Sequence, residues 1–348
     1  MISSAHSPWE TDPLYPKKFS HIYVEEAVRD DPVTKKILAD FPDAEKIPIV
    51  HYKDVFNRRR QNVSLQHKCQ NLILAKRSGS AVFPGAPVCQ SFGNEHFYYC
   101  SSVMNCLCNC SYCYLKGMYP SGNLVIFVNL GDIFAEVEAL LAKFPVYLCV
   151  SYDTDLVPLE DLIGYVDRWC RFVREHENLS IEIRTKCGRT GLYEKLPKTD
   201  RVIFAFTLSP EKIAESYEKG AGTLSQRLQA ARSAQEAGFP IRLCFDPMLY
   251  VPGWEGMYAA MLDEAAAAID LATVLDFSVG TFRISDEYLK SMRRQERENA
   301  LVWYPFARKD GYCQYPTELA GRMESFLAGR LRKMCEGAKI FFWEGGTA

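Results

Sequence analysis

Neither sign of charge dominates this chain: 41 lysines and arginines stand against 43 aspartates and glutamates, a formal net charge of −2. No global basic field announces nucleic acid, although such a balance leaves room for a local basic groove. No apolar stretch approaches the roughly 20 residues that a membrane-spanning helix needs. The first twenty residues carry charges and prolines instead of the apolar core of a secretion signal. Internal repeats and low-complexity tracts are also missing. These absences lead us to expect a soluble cytoplasmic protein with no membrane partner. At 348 residues and 48% hydrophobic, the chain is long and apolar enough for one large α/β domain or two smaller ones.

Cysteine, by contrast, is plentiful: thirteen, an odd number, which fits free thiols in a reducing compartment. Four of them fall within eight residues, Cys106, Cys108, Cys110 and Cys113. Cys106, Cys110 and Cys113 have C-x3-C-x2-C spacing, which suits an iron–sulfur cluster held by three thiolates. A [4Fe–4S] cubane normally takes four cysteines, so three from one tight loop leave one iron open. A structural zinc site would want paired C-x2-C knuckles and a fourth ligand at regular spacing.

Residues 1–22 read as irregular, and 23–80 as short helical and strand-like pieces that include the basic run Arg58-Arg59-Arg60, taken as a solvated face. Residues 81–105, from Phe83-Pro84-Gly85-Ala86-Pro87 onward, are turn-rich. Beyond the cysteines, strands are expected at 124–129, 146–151, 180–185, 201–208, 241–245 and 275–279. Helices are expected at 132–143, 159–176, 224–237 and 255–271. Strands alternating with helices argue for a parallel sheet of βαβ units, and about six such units make an open partial barrel. Functional groups then gather at the C-terminal ends of the strands. Past 285 come a charged helix at 287–299 and the aromatic–basic stretch Trp303, Tyr304, Phe306, Arg308, Lys309, Tyr312 and Tyr315. A helix at 316–335 and a short strand at 339–343 follow. Interleaved aromatics and cations suit nucleic-acid stacking, but an ordinary packing tail explains them as well. The reading divides the chain into an N-terminal extension (1–80), the barrel (81–285) and a C-terminal extension (286–348), the candidate region for contact with DNA or substrate.

The cysteine loop followed by a strand resembles the radical S-adenosylmethionine (SAM) enzymes, in which the open iron chelates SAM and the cluster cleaves it reductively to a 5′-deoxyadenosyl radical. Tyr112 and Tyr114, flanking Cys113, narrow the resemblance to the spore photoproduct lyase family. So do Val128-Asn129-Leu130-Gly131-Asp132-Ile133-Phe134, Asp153-Thr154-Asp155-Leu156-Val157, Arg184-Thr185-Lys186, residues 222–228, Asp246-Pro247-Met248, Gly253-Trp254, Arg283 and Ala338-Lys339-Ile340-Phe341-Phe342. The resemblance implies an α/β fold, an open partial (β/α)6 TIM-like barrel of the radical SAM type with N- and C-terminal extensions. It implies a carbon–carbon lyase whose radical removes a hydrogen from the methylene bridge of a 5-thyminyl-5,6-dihydrothymine lesion in DNA, an electron donor such as ferredoxin or flavodoxin, and a cysteine that returns a hydrogen while tyrosines relay the radical. By this resemblance Cys106, Cys110 and Cys113 hold a [4Fe–4S] cluster, and Thr154, Lys186, Thr207 or Ser209 contact SAM. Tyr112 and Tyr114 relay the radical, and Asp246, Tyr250, Trp254 and Arg283 bound the substrate pocket.

One departure stands out. The family's hydrogen-donating cysteine falls at Tyr152, within Ser151-Tyr152-Asp153-Thr154-Asp155. Tyr152 donates the hydrogen, or Cys149 or Cys187 substitutes, or the chemistry differs. Two rival functions stay open: a paralogue acting on another nucleotide or a small molecule, and a non-catalytic nucleic-acid-binding protein with a structural metal.

Overall fold

The computed structural model describes residues 19–86 and 89–343. Most of the irregular N-terminal stretch, residues 1–18, and Pro87 of the turn-rich segment lie outside the described residues.

Five strands form a first sheet. They are β1 (His21–Glu25), β2 (Glu45–Ile49), β3 (Leu72–Ala75), and further along β6 (Val103–Met104) and β7 (Leu124–Phe127), in the order β2-β1-β3-β7-β6. The apolar runs Leu-Ile-Leu-Ala of β3 and Leu-Val-Ile-Phe of β7 are buried throughout, as parallel strands covered on both faces must be. They pair in parallel, Leu72 to Leu124 through Ala75 to Phe127, so residues before position 80 share a sheet with the strand that follows the cysteines.

A second sheet of eight strands carries the α/β array. It contains β4 (Val82–Pro84), β5 (Phe97–Cys100), β8 (Val146–Cys149), β9 (Leu179–Thr185), β10 (Val202–Thr207), β11 (Ile241–Met248), β12 (Asp276–Thr281) and β16 (Ile340–Phe342). Their order is β16-β12-β11-β10-β9-β8-β5-β4, parallel from β16 to β5 with β4 antiparallel at the edge. All six residues of β10 and of β12 are buried. Helices Tyr165–Glu175, Leu224–Glu236 and Trp254–Ala268 connect successive strands. Thr223 starts the second of these with a capping box: its hydroxyl accepts from the Gln226 amide while the Gln226 side chain accepts from the Thr223 amide. The result is an α/β fold with an open, unclosed array, as expected. A three-stranded antiparallel ribbon, β13 (Arg283–Ser285), β14 (Ala307–Lys309) and β15 (Tyr312–Gln314), follows β12.

The continuous helix expected at 159–176 is broken. A 3-10 turn, Val157–Leu159, and a short helix, Glu160–Ile163, end at Gly164, whose φ of +64° suits glycine far better than other residues. The helix restarts at Tyr165, where the Glu160 carboxylate accepts from the backbone amides of Val166 (2.6 Å) and Asp167 (2.9 Å). β11 runs to Met248 and not only to 245, because a register shift between Phe245 and Met248 carries the chain past Asp246 without losing its partner β12. The helix Glu211–Tyr217 had no sequence signal strong enough to be expected.

In the C-terminal stretch Tyr304, Phe306 and Tyr315 pack on one another with ring centres 4.9–5.4 Å apart, and Tyr304 and Tyr315 also meet Tyr250. Trp303, Arg308 and Lys309 face outward, as do Arg58, Arg59 and Arg60. No helix among the described residues is long and apolar enough to cross a membrane.

Candidate active site

The cysteine loop lies between β6 and β7. Its first residue, Asn105, is buried with φ +69°, and its amide donates to the carbonyls of Ser121 (2.8 Å) and Asn123 (2.7 Å), which pins the two ends of the loop together. Segment 217–222 closes over the loop from the far side. Ser111 donates its amide to the Tyr217 carbonyl (2.7 Å), and Gly220 to that of Cys108 (3.1 Å). A Cβ on Gly220 would lie 2.6 Å from the Leu107 carbonyl oxygen, so only glycine fits this contact unmoved. The C-terminal region braces the loop as well, with Asn299 donating to the Ser111 carbonyl (2.7 Å) and Lys116 paired to Glu296 (2.9 Å).

Cys106, Cys110 and Cys113 line one cleft together with His67, Asn105, Cys108, Asn109, Leu115 and Lys116. Four buried polar atoms on this wall have no hydrogen-bond partner: both ring nitrogens of His67 and the side-chain oxygens of Asn105 and Asn109. Such orphans are rare in a folded interior. A sulfur-rich, hydrogen-bond-accepting group seated between three thiolates would give a His67 N–H its missing acceptor, and His67 fits a cluster in that respect. Among the described residues no three His, Cys, Asp or Glu side chains are grouped to hold a single ion. All thirteen cysteines are free thiols. Burial pushes Cys113 up to about 11 and Cys110 higher still, whereas a hydrogen bond from Cys108 holds Cys106 below the ordinary thiol value. Cys108 turns towards Asp155 (3.8 Å). Burial, aided by the positive charge of Lys116, lowers His67 to about 4.

The ends of β9 and β10 meet the loop at Glu218. This buried carboxylate accepts from the Tyr112 hydroxyl, from Lys186 Nζ (3.2 Å), from Ser209 Oγ (2.9 Å) and from the Arg227 guanidinium. Lys186 also donates to the Tyr112 hydroxyl oxygen (2.7 Å). Burial would raise the Glu218 carboxyl, but Lys186 and Arg227 beside it hold it down to about 2. One anion and two cations leave a net positive charge there. Asp155, raised to about 6 by burial, accepts from Thr185 Oγ1 (2.9 Å) and the Lys186 (2.7 Å) and Val157 (3.2 Å) amides, which fixes the turn that presents Lys186. Thr154 is buried, with its hydroxyl towards the Asp155 carbonyl (3.5 Å). Thr207 is buried at the end of β10, and its carbonyl accepts from Arg227 (3.1 Å).

On the β5–β8 side, Tyr114 donates its hydroxyl to the Tyr152 carbonyl (2.6 Å), and the Tyr152 ring stacks on Tyr99 with centres 4.0 Å apart. The Cys89 thiol lies 3.8 Å from the Tyr152 hydroxyl. Cys149 is buried at the end of β8, and Cys187 is buried near Asp155. Asp246 and Arg283 form a paired-oxygen, paired-nitrogen bridge at 2.9 and 3.0 Å. Tyr250 is 39% exposed. Trp254 stands apart from these groups: it is 4% exposed and packs against Phe326 (5.3 Å) in the outer helical layer.

The structure thus brings together the three cysteines, Tyr112, Lys186 and Ser209, and separately Tyr114 with Tyr152. Sequence reasoning missed Glu218, Arg227, Asp155, Cys89 and His67, none of which belongs to a local pattern. Asp155 and Arg227 enter the sequence reading only as members of matching segments.

An open parallel α/β array with a three-cysteine loop against its strand ends defines a protein of the radical SAM fold class. A family model described as "Spore photoproduct lyase" matches residues 19–315, and this chain belongs to the spore photoproduct lyase family. It is 23% identical over 177 residues to a spore photoproduct lyase of Geobacillus sp. (strain Y412MC61), covering 50% of this chain and 52% of that one. To the lyase of Bacillus subtilis (strain 168) it is 21% identical over 168 residues, covering 47% and 49%. The chain spans about half the length of the curated relatives it matches. A solved spore photoproduct lyase complexed with dinucleoside spore photoproduct superposes with a TM-score of 0.80 at 18% identity, covering 95% of this chain and 99% of that one. A doubly substituted spore photoproduct lyase with bound AdoMet and dinucleoside spore photoproduct gives 0.80 at 19%, with the same coverage. At these identities the likeness establishes the shared fold.

Proposed function

We propose that this chain is a radical SAM lyase that repairs the 5-thyminyl-5,6-dihydrothymine lesion in DNA. The observation that carries the reading is the contact between Lys186, at the end of β9, and Tyr112, inside the cysteine loop (2.7 Å). It sets a cationic, hydroxyl-bearing strand end directly against a three-thiolate cleft. Cys106, Cys110 and Cys113 would hold the [4Fe–4S] cluster. When bound, cluster and SAM supply a 5′-deoxyadenosyl radical for hydrogen abstraction. Lys186 and the hydroxyls of Ser209, Thr207 and Thr154 are the groups suited to the carboxylate and ammonium of SAM, since a carboxylate seeks a cation and an ammonium seeks oxygen acceptors. Glu218 keeps Lys186 charged and in place, and Arg227 holds Glu218.

Asp246, Arg283 and Tyr250 would bound the lesion, whereas Trp254 would support the wall from behind. Tyr112 and Tyr114 keep their relay role in this reading. For the returning hydrogen, Tyr152 and Cys89 form the donor pair: the thiol touches the phenol, and burial raises both acidities' values so that each keeps its hydrogen at neutral pH. Cys149 and Cys187 have no such contact with Tyr152 described. A reduced ferredoxin or flavodoxin would supply the electron.

The test is anaerobic incubation of reconstituted protein with SAM, reductant and an oligonucleotide carrying the lesion. Thymine recovery supports the lyase. The replacement of the family's cysteine by Tyr152 favours a second reading, a paralogue acting on another nucleotide or a small molecule. Formation of 5′-deoxyadenosine with the lesion left intact would select it.

A further inference from the structure

His67 lies on the short helix Val63–Lys68, and its side chain faces the cleft lined by Cys106, Cys110 and Cys113. It is 9% exposed, and neither ring nitrogen has a hydrogen-bond partner. No neighbour on that wall bonds to it: the side-chain oxygens of Asn105 and Asn109 are themselves unpartnered, so neither accepts from the ring, and the nearby N–H groups are spent elsewhere. The Asn105 amide is committed to the Ser121 and Asn123 carbonyls, and the Asn109 amide to the backbone carbonyl of His67 itself (3.2 Å). The Lys116 ammonium is committed to Glu296. A neutral imidazole carries one N–H donor, and a buried donor seeks an acceptor. The group that the three thiolates would hold is rich in sulfur acceptors.

We propose that His67 donates its ring N–H to a sulfur of the cluster, either a bridging sulfide or a cysteine thiolate, and thereby raises the cluster's reduction potential. The inference rests on the cluster reading above. Hydrogen bonds to the sulfurs are one of the levers that set such potentials, because they stabilise the more negative, reduced state. His67 is on this account a positioning and tuning residue, not an iron ligand. His67 belongs to the sheet-building N-terminal region and not to the cysteine loop, so the first 80 residues would bear on the electron-accepting step.

The test is a potentiometric titration of the reconstituted cluster, followed by electron paramagnetic resonance without SAM, in the wild-type chain and in His67→Leu and His67→Gln. Iron and sulfide analysis of each protein is made first. With the cluster intact in all three, His67→Leu should shift the reduction equilibrium about tenfold towards the oxidised form, ~59 mV for one electron. His67→Gln, which keeps an N–H donor, should stay nearer the wild type. Equal potentials in wild type and His67→Leu would overturn the proposal while leaving the cluster reading standing. A wild-type protein that takes up no iron would overturn both. Loss of iron from His67→Leu and His67→Gln alike would show His67 to be a ligand and would overturn the hydrogen-bonding role.

Discussion

Glu218 and Arg227 form an ion pair with both side chains fully buried. The same carboxylate is reached by Lys186 from β9, by Ser209 beyond β10 and by Tyr112 from the cysteine loop. One buried anion therefore ties three strand-end and loop groups into a single unit, and its chemistry dictates the first prediction.

Because Glu218 is held at about 2, against an ordinary glutamate value of 4.5, the folded state binds fewer protons than the unfolded chain between those values. Its stabilisation is present in full above pH 4.5 and is lost as pH falls through 2. The contribution is about 3 kcal/mol. Glu218→Gln should remove it at pH 7 and leave Lys186 and Arg227 buried without their anion, at a cost of about 3–5 kcal/mol. Urea unfolding of wild type and variant from pH 7 to pH 3 checks this: the difference should shrink as pH falls.

The roles of the four clustered cysteines should separate. Cys106→Ala, Cys110→Ala and Cys113→Ala should each lose the brown colour and most of the about four irons of the reconstituted protein. Cys108→Ala should retain both, because its thiol turns to Asp155. Iron analysis after anaerobic reconstitution gives the answer.

Gly220→Ala should disturb the loop without touching any thiol, since its Cβ would press on the Leu107 and Cys108 carbonyls. Iron uptake should fall severalfold while the far-ultraviolet circular dichroism stays unchanged. Gly164→Ala, at a left-handed position remote from the loop in sequence, should instead cost about 1 kcal/mol of stability and leave iron uptake intact.

Trp254→Ala should act through packing. Removing a ring that is 4% exposed and seated on Phe326 should cost about 3–5 kcal/mol. At a temperature where the variant remains folded, SAM cleavage should proceed at close to the wild-type rate. A specific loss of cleavage would return Trp254 to the site.

The cysteine loop was legible because its four cysteines lie within eight residues, where spacing alone makes a pattern. The strands of the array were legible because strands buried on both faces become unbroken apolar runs, as in Val202–Thr207. The N-terminal strands were harder to read. Glu45–Ile49 is an edge strand with three of five residues exposed and none buried, so it carries no apolar run to announce it. The break at Gly164 escaped notice because the apolar spacing continues across it, although the glycine itself was a signal. Glu218 and Arg227 could not be paired with Tyr112 from sequence, since the contacts span 106 residues to the loop and only folding brings them together. Cys89 and His67 likewise acquire meaning only from neighbours distant in the chain, Tyr152 and the cleft.

The most direct measurement is the yield of 5′-deoxyadenosine from SAM by anaerobically reconstituted, dithionite-reduced protein. The account predicts formation that depends on reductant and vanishes in the Cys106, Cys110 and Cys113 variants. A protein that takes up its iron, reduces, and leaves SAM untouched would contradict it.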